Sequence, residues 1–215
     1  MRVVTGEAKG RKLKTPKTVG TRPIMDRVKT ALFDILSTQV EDTRVLDLFA
    51  GTGSVGIEAL SRGAQHATFI EMNPKILKLV RENLQITQLA DRAETLHSDA
   101  FKFLQAHQVR PSSQDAQTPH VPALSSVAGR QRAYDIIYVA PPQYEELAAR
   151  ALALIDSSTL IAKEGLVIVQ IHPKERVSIV AVECQQLVLT DERRYGSTLL
   201  MFYQQRVEGG VGHDQ

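Results

Sequence analysis

Three carboxylates, Asp47, Glu71 and Asp99, stand at or just past the ends of three successive strand-like runs, "RVLDLFA", "ATFIE" and "AETLHS". After the first run comes "AGTGSVG", with Gly51, Gly53 and Gly56 at G-x-G-x-x-G spacing. A glycine loop between a strand and a helix lets backbone approach a nucleotide-type ligand closely. The spacing alone fits a dinucleotide and an S-adenosylmethionine-type ligand equally. Two details separate them. Asp47 lies inside the strand end, where it repels a pyrophosphate but can accept hydrogen bonds, directly or through water, from an amino-acid ammonium group. Glu71 can accept from both hydroxyls of an adenosine ribose. Asp99 is placed to bond an adenine amine, with the Ala100 amide for a ring nitrogen; the lesser alternative is that it simply caps the helix "AFKFLQAH".

A second constellation is "YVAPPQY", residues 138–144. Proline has no N–H for a ladder and fixes its own φ, so two prolines stop the buried run "YDIIYVA" in a rigid corner.

The elements that must hold these groups alternate. The runs "RVLDLFA", "ATFIE", "AETLHS", "YDIIYVA" and "GLVIVQIH" read as strands. Between them "SVGIEALSRG", "NPKILKLVRENLQIT", "DAFKFLQAH" and "EELAARALALI" read as helices. Gly63 closes the first of these helices, and Asn73-Pro74 opens the second as N-cap and first position. In "RPIMDRVKTALFDILS", Met25, Val28, Leu32, Ile35 and Leu36 fall at helical spacing, with Pro23 tolerable in the first turn. "QLVLTDERRYGSTLLMFYQ" reads as two strands about a tight turn. This alternation argues for a doubly wound α/β fold on a mostly parallel, seven-stranded sheet whose last pair is antiparallel.

The opening "MRVVTGEAKGRKLKTP" reads as a short hairpin turning near Gly6 to Gly10. Residues 1–30 hold nine basic side chains against Glu7 and Asp26, a net charge of +7 that leaves −5 on the rest. A basic arm on a mildly acidic body points to a polyanionic partner, nucleic acid first. Residues 107–131, rich in Pro, Ser, Gln and Ala without a period, read as a disordered insertion, and residues 206–215 as a flexible tail.

Composition excludes several classes. No apolar run approaches the roughly 20 residues of a membrane span, and the N-terminus has no signal-peptide core. A single cysteine, Cys184, permits no internal disulfide and reads as a small core residue on a strand. The six histidines are scattered, so no metal site is expected. A cytoplasmic monomer is the expectation.

These residues resemble the RsmD family of methyltransferases. The likeness is carried by "DLFAGTGSVGIEALSRGA", Glu71, "SDAF", the double proline, the block "GEAKGRKLKTP" through "TRPIMDRVKTALFDIL", and "RRYGSTLLMFY". It implies a class I, Rossmann-like S-adenosylmethionine-dependent fold, with a hairpin extension over residues 1–20 and the methyltransferase domain over 21–205. The activity implied is methylation of the exocyclic N2 of a guanine in 16S rRNA, free or in a small-subunit assembly intermediate. Cofactor positions would be Asp47, Phe49, Gly51, Gly53, Glu71, Met72, Asp99 and Ala100. RNA contacts would be Lys9, Arg11, Lys12, Lys14, Arg22, Arg193 and Arg194.

The catalytic corner would be Ala140, Pro141, Pro142, Gln143 and Tyr144, and here the chain departs from the family. An Asp or Asn leads the family's corner and an aromatic residue follows its prolines, whereas this chain has Ala140 and Gln143. In the family chemistry, that side chain and a proline-corner carbonyl hold the amine's two N–H groups, and the aromatic ring stacks on the flipped-out base. With Ala140 leading, a carbonyl of the corner and the Gln143 side chain must replace the acceptor, and Tyr144 must stack one residue late. A degenerate, RNA-binding relative is the competing reading. An amino-methyltransferase of DNA or a small molecule ranks third, and an NAD-dependent oxidoreductase ranks last.

Overall fold

Strands buried on both faces need near-continuous apolar runs, and "YDIIYV" supplies one at the centre of the sheet. It forms β4 (Tyr134–Val139), flanked by β1 (Arg44–Asp47) and β5 (Ile161–Ile171). The computed structural model describes residues 1–16, 26–108, 133–143 and 146–206. Arg22, Pro23, Met25, Tyr144, residues 109–131 of the expected insertion and residues 207–215 of the expected tail lie outside these.

The remaining strands are β2 (His66–Glu71), β3 (Ala93–His97), β6 (Leu187–Tyr195) and β7 (Thr198–Gln205). They complete one seven-stranded sheet in the order β3-β2-β1-β4-β5-β7-β6. Strands β1 to β5 are mutually parallel; β7 runs antiparallel to both β5 and β6. The carboxyl ends of β1 to β6 therefore share one edge, and the tight turn at Gly196 (φ 61°) lies on it. The order reverses between β1 and β4, the place where open α/β sheets bind ligands.

Among the described residues six α-helices cover the two faces. On one side α1 (Asp26–Leu36), α2 (Ser54–Ser61) and α3 (Pro74–Thr87) pack with Val45, Phe69, Ile136 and Tyr138 of the sheet. On the other, α4 (Ala100–Ala106), α5 (Leu147–Asp156) and the short α6 (Arg176–Val180) pack with Leu46, Ile137, Val139 and Val167. Alternate residues of β1 and β4 thus supply opposite cores, as the pleat requires. The end signals hold: Asn73 caps α3, accepting from the amides of Lys75 and Ile76, and Gly63 follows α2 with φ 100°.

The N-terminal hairpin is an integral part of the first face. It is a single antiparallel bridge, Arg2 to Lys12, with Val3, Ala8 and Leu13 buried in the core. It runs along α2, with Met1 and Lys14 at the level of the glycine loop and Ala8 and Glu7 hydrogen-bonded to Ser61 at the far end. A Cβ on Gly6 (φ 86°) would lie 1.7 Å from the Ser61 carbonyl oxygen, so only glycine lets the arm seat there.

Four sequence expectations need correction. Lys29, counted in the basic arm, is fully buried and ion-paired to Glu58 at 3.2 Å. Cys184 is half-buried on the connection between α6 and β6 rather than on a strand; burial pushes its thiol up to about 11, an inert value. His107 and Gln108, read as the start of the insertion, belong to the fold: His107 caps α4 and Gln108 bridges to Ser158. Arg206, read as tail, donates its amide to the Gln186 carbonyl at 2.7 Å.

Candidate cofactor and substrate site

Parallel strands ending in register bring the carboxylates to one edge. Asp47 is paired with Phe69 of β2 and Tyr138 of β4, and Glu71 with His97 of β3. Asp99 follows β3 by two residues.

The glycines between them divide the work. Gly51 (φ 52°) faces open space, with nothing within 4 Å of where a Cβ would stand. A Cβ on Gly56 would lie 2.4 Å from the Phe69 ring, so that glycine brings α2 close onto β2. Gly53 has φ 76° and precedes the first residue of α2.

Asp47 is buried, and its Oδ2 accepts the Gly56 amide at 3.1 Å. Burial, against the lowering effect of that amide, pushes its carboxyl up to about 7. Glu71 receives the Gly51 amide at 3.0 Å on one oxygen and the Asn73 amide at 2.8 Å on the other. Each of these oxygens keeps a lone pair for a ligand hydroxyl.

Asp99 does cap α4: its Oδ1 accepts from Phe101 and Lys102, both at 2.9 Å. That engages one of its two oxygens, so the capping role and a ligand role are compatible. Met72 is 66% exposed beside Glu71. Phe49 meets Phe101 edge-on at 5.9 Å, and Ala100 is buried.

Two features of this edge escaped the sequence reading. Ser54 Oγ, at the first position of α2, is buried without a hydrogen-bond partner among the described residues. Asn83 of α3, fully buried, donates to the Thr52 carbonyl inside the glycine loop at 3.0 Å. No pattern of spacing marks either residue. Open space over Gly51, an unspent hydroxyl at Ser54 and the exposed Met72 side chain together fit the amino-acid and adenosine ends of S-adenosylmethionine.

At the end of β4 the corner is formed as expected. Pro141 is buried, Ala140 and Gln143 are half-buried and Pro142 is exposed. Among the described residues, no donor reaches the Ala140 or the Pro141 carbonyl. Tyr138, one residue inside the strand end, is held by its hydroxyl to Gln170 of β5 at 2.7 Å.

The basic candidates divide by place. Lys9, Arg11 and Lys12 are exposed on the arm, whereas Lys14 is paired with Glu82 at 2.7 Å. Arg193 pairs with Asp191 at 2.9 Å and Arg194 donates to the Gly196 carbonyl at 3.2 Å, both on the carboxyl edge but at its far end. Among the described residues no group of His, Cys, Asp or Glu could hold a metal ion, and no helix is long and apolar enough to cross a membrane.

The family model described as Conserved hypothetical protein 95 matches residues 1–116 and 110–204, nearly the whole chain. The chain belongs to the RsmD family of methyltransferases. The Escherichia coli K12 protein named Ribosomal RNA small subunit methyltransferase D is 31% identical over 209 residues, covering 97% of this chain and 92% of its own. Bacillus subtilis YlbH, provisionally named an rRNA methyltransferase, is 32% identical over 210 residues, 96% of this chain and all of its own. The solved structure of Escherichia coli yhhF superposes with a TM-score of 0.74 at 30% identity, covering 95% of this chain and 97% of the other. The class I fold, with β7 antiparallel to its neighbours, agrees with that superposition.

Proposed function

We propose that this S-adenosylmethionine-dependent rRNA methyltransferase acts on the exocyclic N2 of one guanine in bacterial 16S rRNA. The observation that carries the reading is the proline corner at the strand end adjoining the glycine loop, where no described residue donates to the Ala140 or Pro141 carbonyl. The name of the Escherichia coli relative specifies the small-subunit RNA; the corner supports the amine as the atom modified.

A guanine amine is a poor nucleophile because its lone pair is delocalised into the ring. The Ala140 and Pro141 carbonyls stand in, less effectively than the side-chain acceptor that Ala140 lacks, for the contacts to its two N–H groups and leave the lone pair directed outward. The Gln143 side-chain oxygen supplements them, and Tyr144 stacks on the extruded base. Asp47, Gly51, Glu71, Met72, Asp99 and Ala100 hold S-adenosylmethionine, which when bound supplies an electrophilic methyl group. The protein lowers the barrier by placing the amine and by matching its charge rather than by a general base, since a methylated, cationic amine loses its proton to water unaided. Lys9, Arg11, Lys12, Lys14, Arg22, Arg193 and Arg194 contact phosphates and set the register of the RNA.

The test is transfer of labelled methyl from S-adenosylmethionine to small ribosomal particles built on unmodified 16S rRNA. Label recovered as N2-methylguanine is the expected result. Cofactor binding without transfer, to particles or to naked RNA, overturns the catalytic reading and favours an RNA-binding role, the one reading that Ala140 on its own would support.

Asp47 sets a pH dependence. A neutral carboxyl cannot attract the ligand's ammonium group. With its carboxyl up at about 7, affinity for S-adenosylhomocysteine falls as pH drops through that value. The expected loss is about tenfold between roughly pH 8 and pH 6, read by titration calorimetry. Asp47→Asn binds weakly at both ends of the range, with a flat profile. A flat profile in the unmodified protein would separate Asp47 from the ligand.

A further inference from the structure

The sequence reading treats the basic arm and the glycine loop as separate devices. One buried amide joins them. Asn83, on the inward face of α3, is fully buried, and all its bonds go to backbone. Its Oδ1 accepts the Lys14 amide at 2.8 Å, and its Nδ2 donates to the Lys14 carbonyl at 3.1 Å and to the Thr52 carbonyl at 3.0 Å. Lys14 is the inner end of the arm. Thr52 lies between Gly51, whose amide is held by Glu71, and Gly53, whose amide turns back to Ala50.

The two protons of a side-chain amide lie in one plane at a fixed angle. A shift of the Lys14 carbonyl therefore re-aims the proton on the Thr52 carbonyl, and a turn of the Thr52 peptide pulls on the arm. Neither carbonyl has another donor among the described residues. Leaving a proton of the buried Asn83 amide unpaired costs about 1–3 kcal/mol, so both bonds are kept and the two segments move together. The arm has a second tie at this level, Met1 Sδ within 4.0 Å of the Thr52 hydroxyl.

We propose that Asn83 is a positioning residue that couples RNA bound on the arm to cofactor bound in the glycine loop. The coupling rests on the methyltransferase reading above. By linkage each ligand then changes the other's affinity by the same factor. RNA that fixes Arg11 and Lys12 fixes Lys14 beside them, and through Asn83 it holds the Thr52 peptide in the orientation that opens the loop over Gly51.

The experiment is equilibrium dialysis of labelled S-adenosylhomocysteine, with and without saturating small ribosomal particles built on unmodified 16S rRNA. In the unaltered protein, particles are expected to tighten binding about fivefold or more. In Asn83→Ala the two ligands still bind, each more weakly, and the tightening disappears. A role in stability alone would lower the melting temperature and leave the tightening intact. So would a direct touch between base and cofactor. Either outcome overturns the proposal, as does equal affinity with and without particles in the unaltered protein.

If Asn83→Ala does not fold, the double variant Arg11→Ala/Lys12→Ala, which alters only exposed side chains, serves instead: full tightening in that protein refutes the coupling. Failure of the unaltered protein to bind S-adenosylhomocysteine at all overturns the methyltransferase reading, and the coupling with it. Binding of both ligands without tightening overturns the coupling alone.

Discussion

Glu58→Gln is expected to destabilise the protein by about 3–5 kcal/mol, the loss typical of breaking a buried ion pair by removing one partner. Glu58 lies on α2 with no exposed surface. Four donors converge on it. One oxygen takes the Thr5 amide at 2.9 Å and Arg62 Nε at 3.0 Å; the other takes the Val4 amide at 2.8 Å and Lys29 Nζ at 3.2 Å. A glutamine must turn its NH₂ group toward one pair of those donors, either Arg62 with the Thr5 amide or Lys29 with the Val4 amide, and in the second case the Lys29 ammonium is buried with only the Arg2 carbonyl, 2.7 Å away. Burial already lowers the Lys29 pKa, and Glu58 is the chief influence opposing that.

The pair has an ionic part and a backbone part, and a second variant separates them. Glu58→Gln/Lys29→Met removes the stranded charge and should recover part of the loss. It cannot recover the part owed to the Val4 and Thr5 amides, which still need an acceptor. Urea unfolding of the two variants reads both quantities. A loss under about 1 kcal/mol for Glu58→Gln would mean that the arm is not anchored through this carboxylate.

This anchoring also shows where sequence reasoning reached its limit. The strand and helix order was legible because each boundary carries a local chemical signal. Asn73-Pro74 opens α3, glycine follows α2, and the double proline ends β4. The carboxyl edge was legible too, since parallel strands put the residues at their ends side by side. Contacts between segments distant in sequence leave no such signal. Glu58 and Arg62 stand four apart on a helix, the spacing of an ordinary exposed pair, and nothing local says that residues 4 and 5 cover them. Lys29 sits one residue from the apolar Val28 and counts as surface charge until its partner is known. Asn83 is the same case within α3. The basic arm could thus be recognised by charge, but not its attachment to α2 and α3, nor the fact that its charged residues flank a buried polar seam.

Ala140→Asp is expected to raise the methyl-transfer rate by on the order of 10²–10³, by analogy with restoring a missing transition-state hydrogen bond. The gain should appear in kcat, with KM for the RNA changed little, because a bond to the amine matters most once the base is extruded and its nitrogen takes on positive charge. The place can accept the change. Ala140 is half-buried just beyond the end of β4, at a corner where Pro142 is open to solvent. An electrostatic cost arises at Asp47, which ends the neighbouring strand. A second carboxylate on that edge raises the Asp47 carboxyl further above about 7, and the pH profile of cofactor binding should move upward with it. Ala140→Asn supplies an acceptor without a charge, so it should keep most of the rate gain and leave that profile where it is. Equal rates in all three proteins would show that the Ala140 and Pro141 carbonyls already satisfy the amine and that the leading side chain is dispensable in this corner. A gain with Asp and none with Asn would assign the effect to negative charge rather than to a hydrogen-bond acceptor.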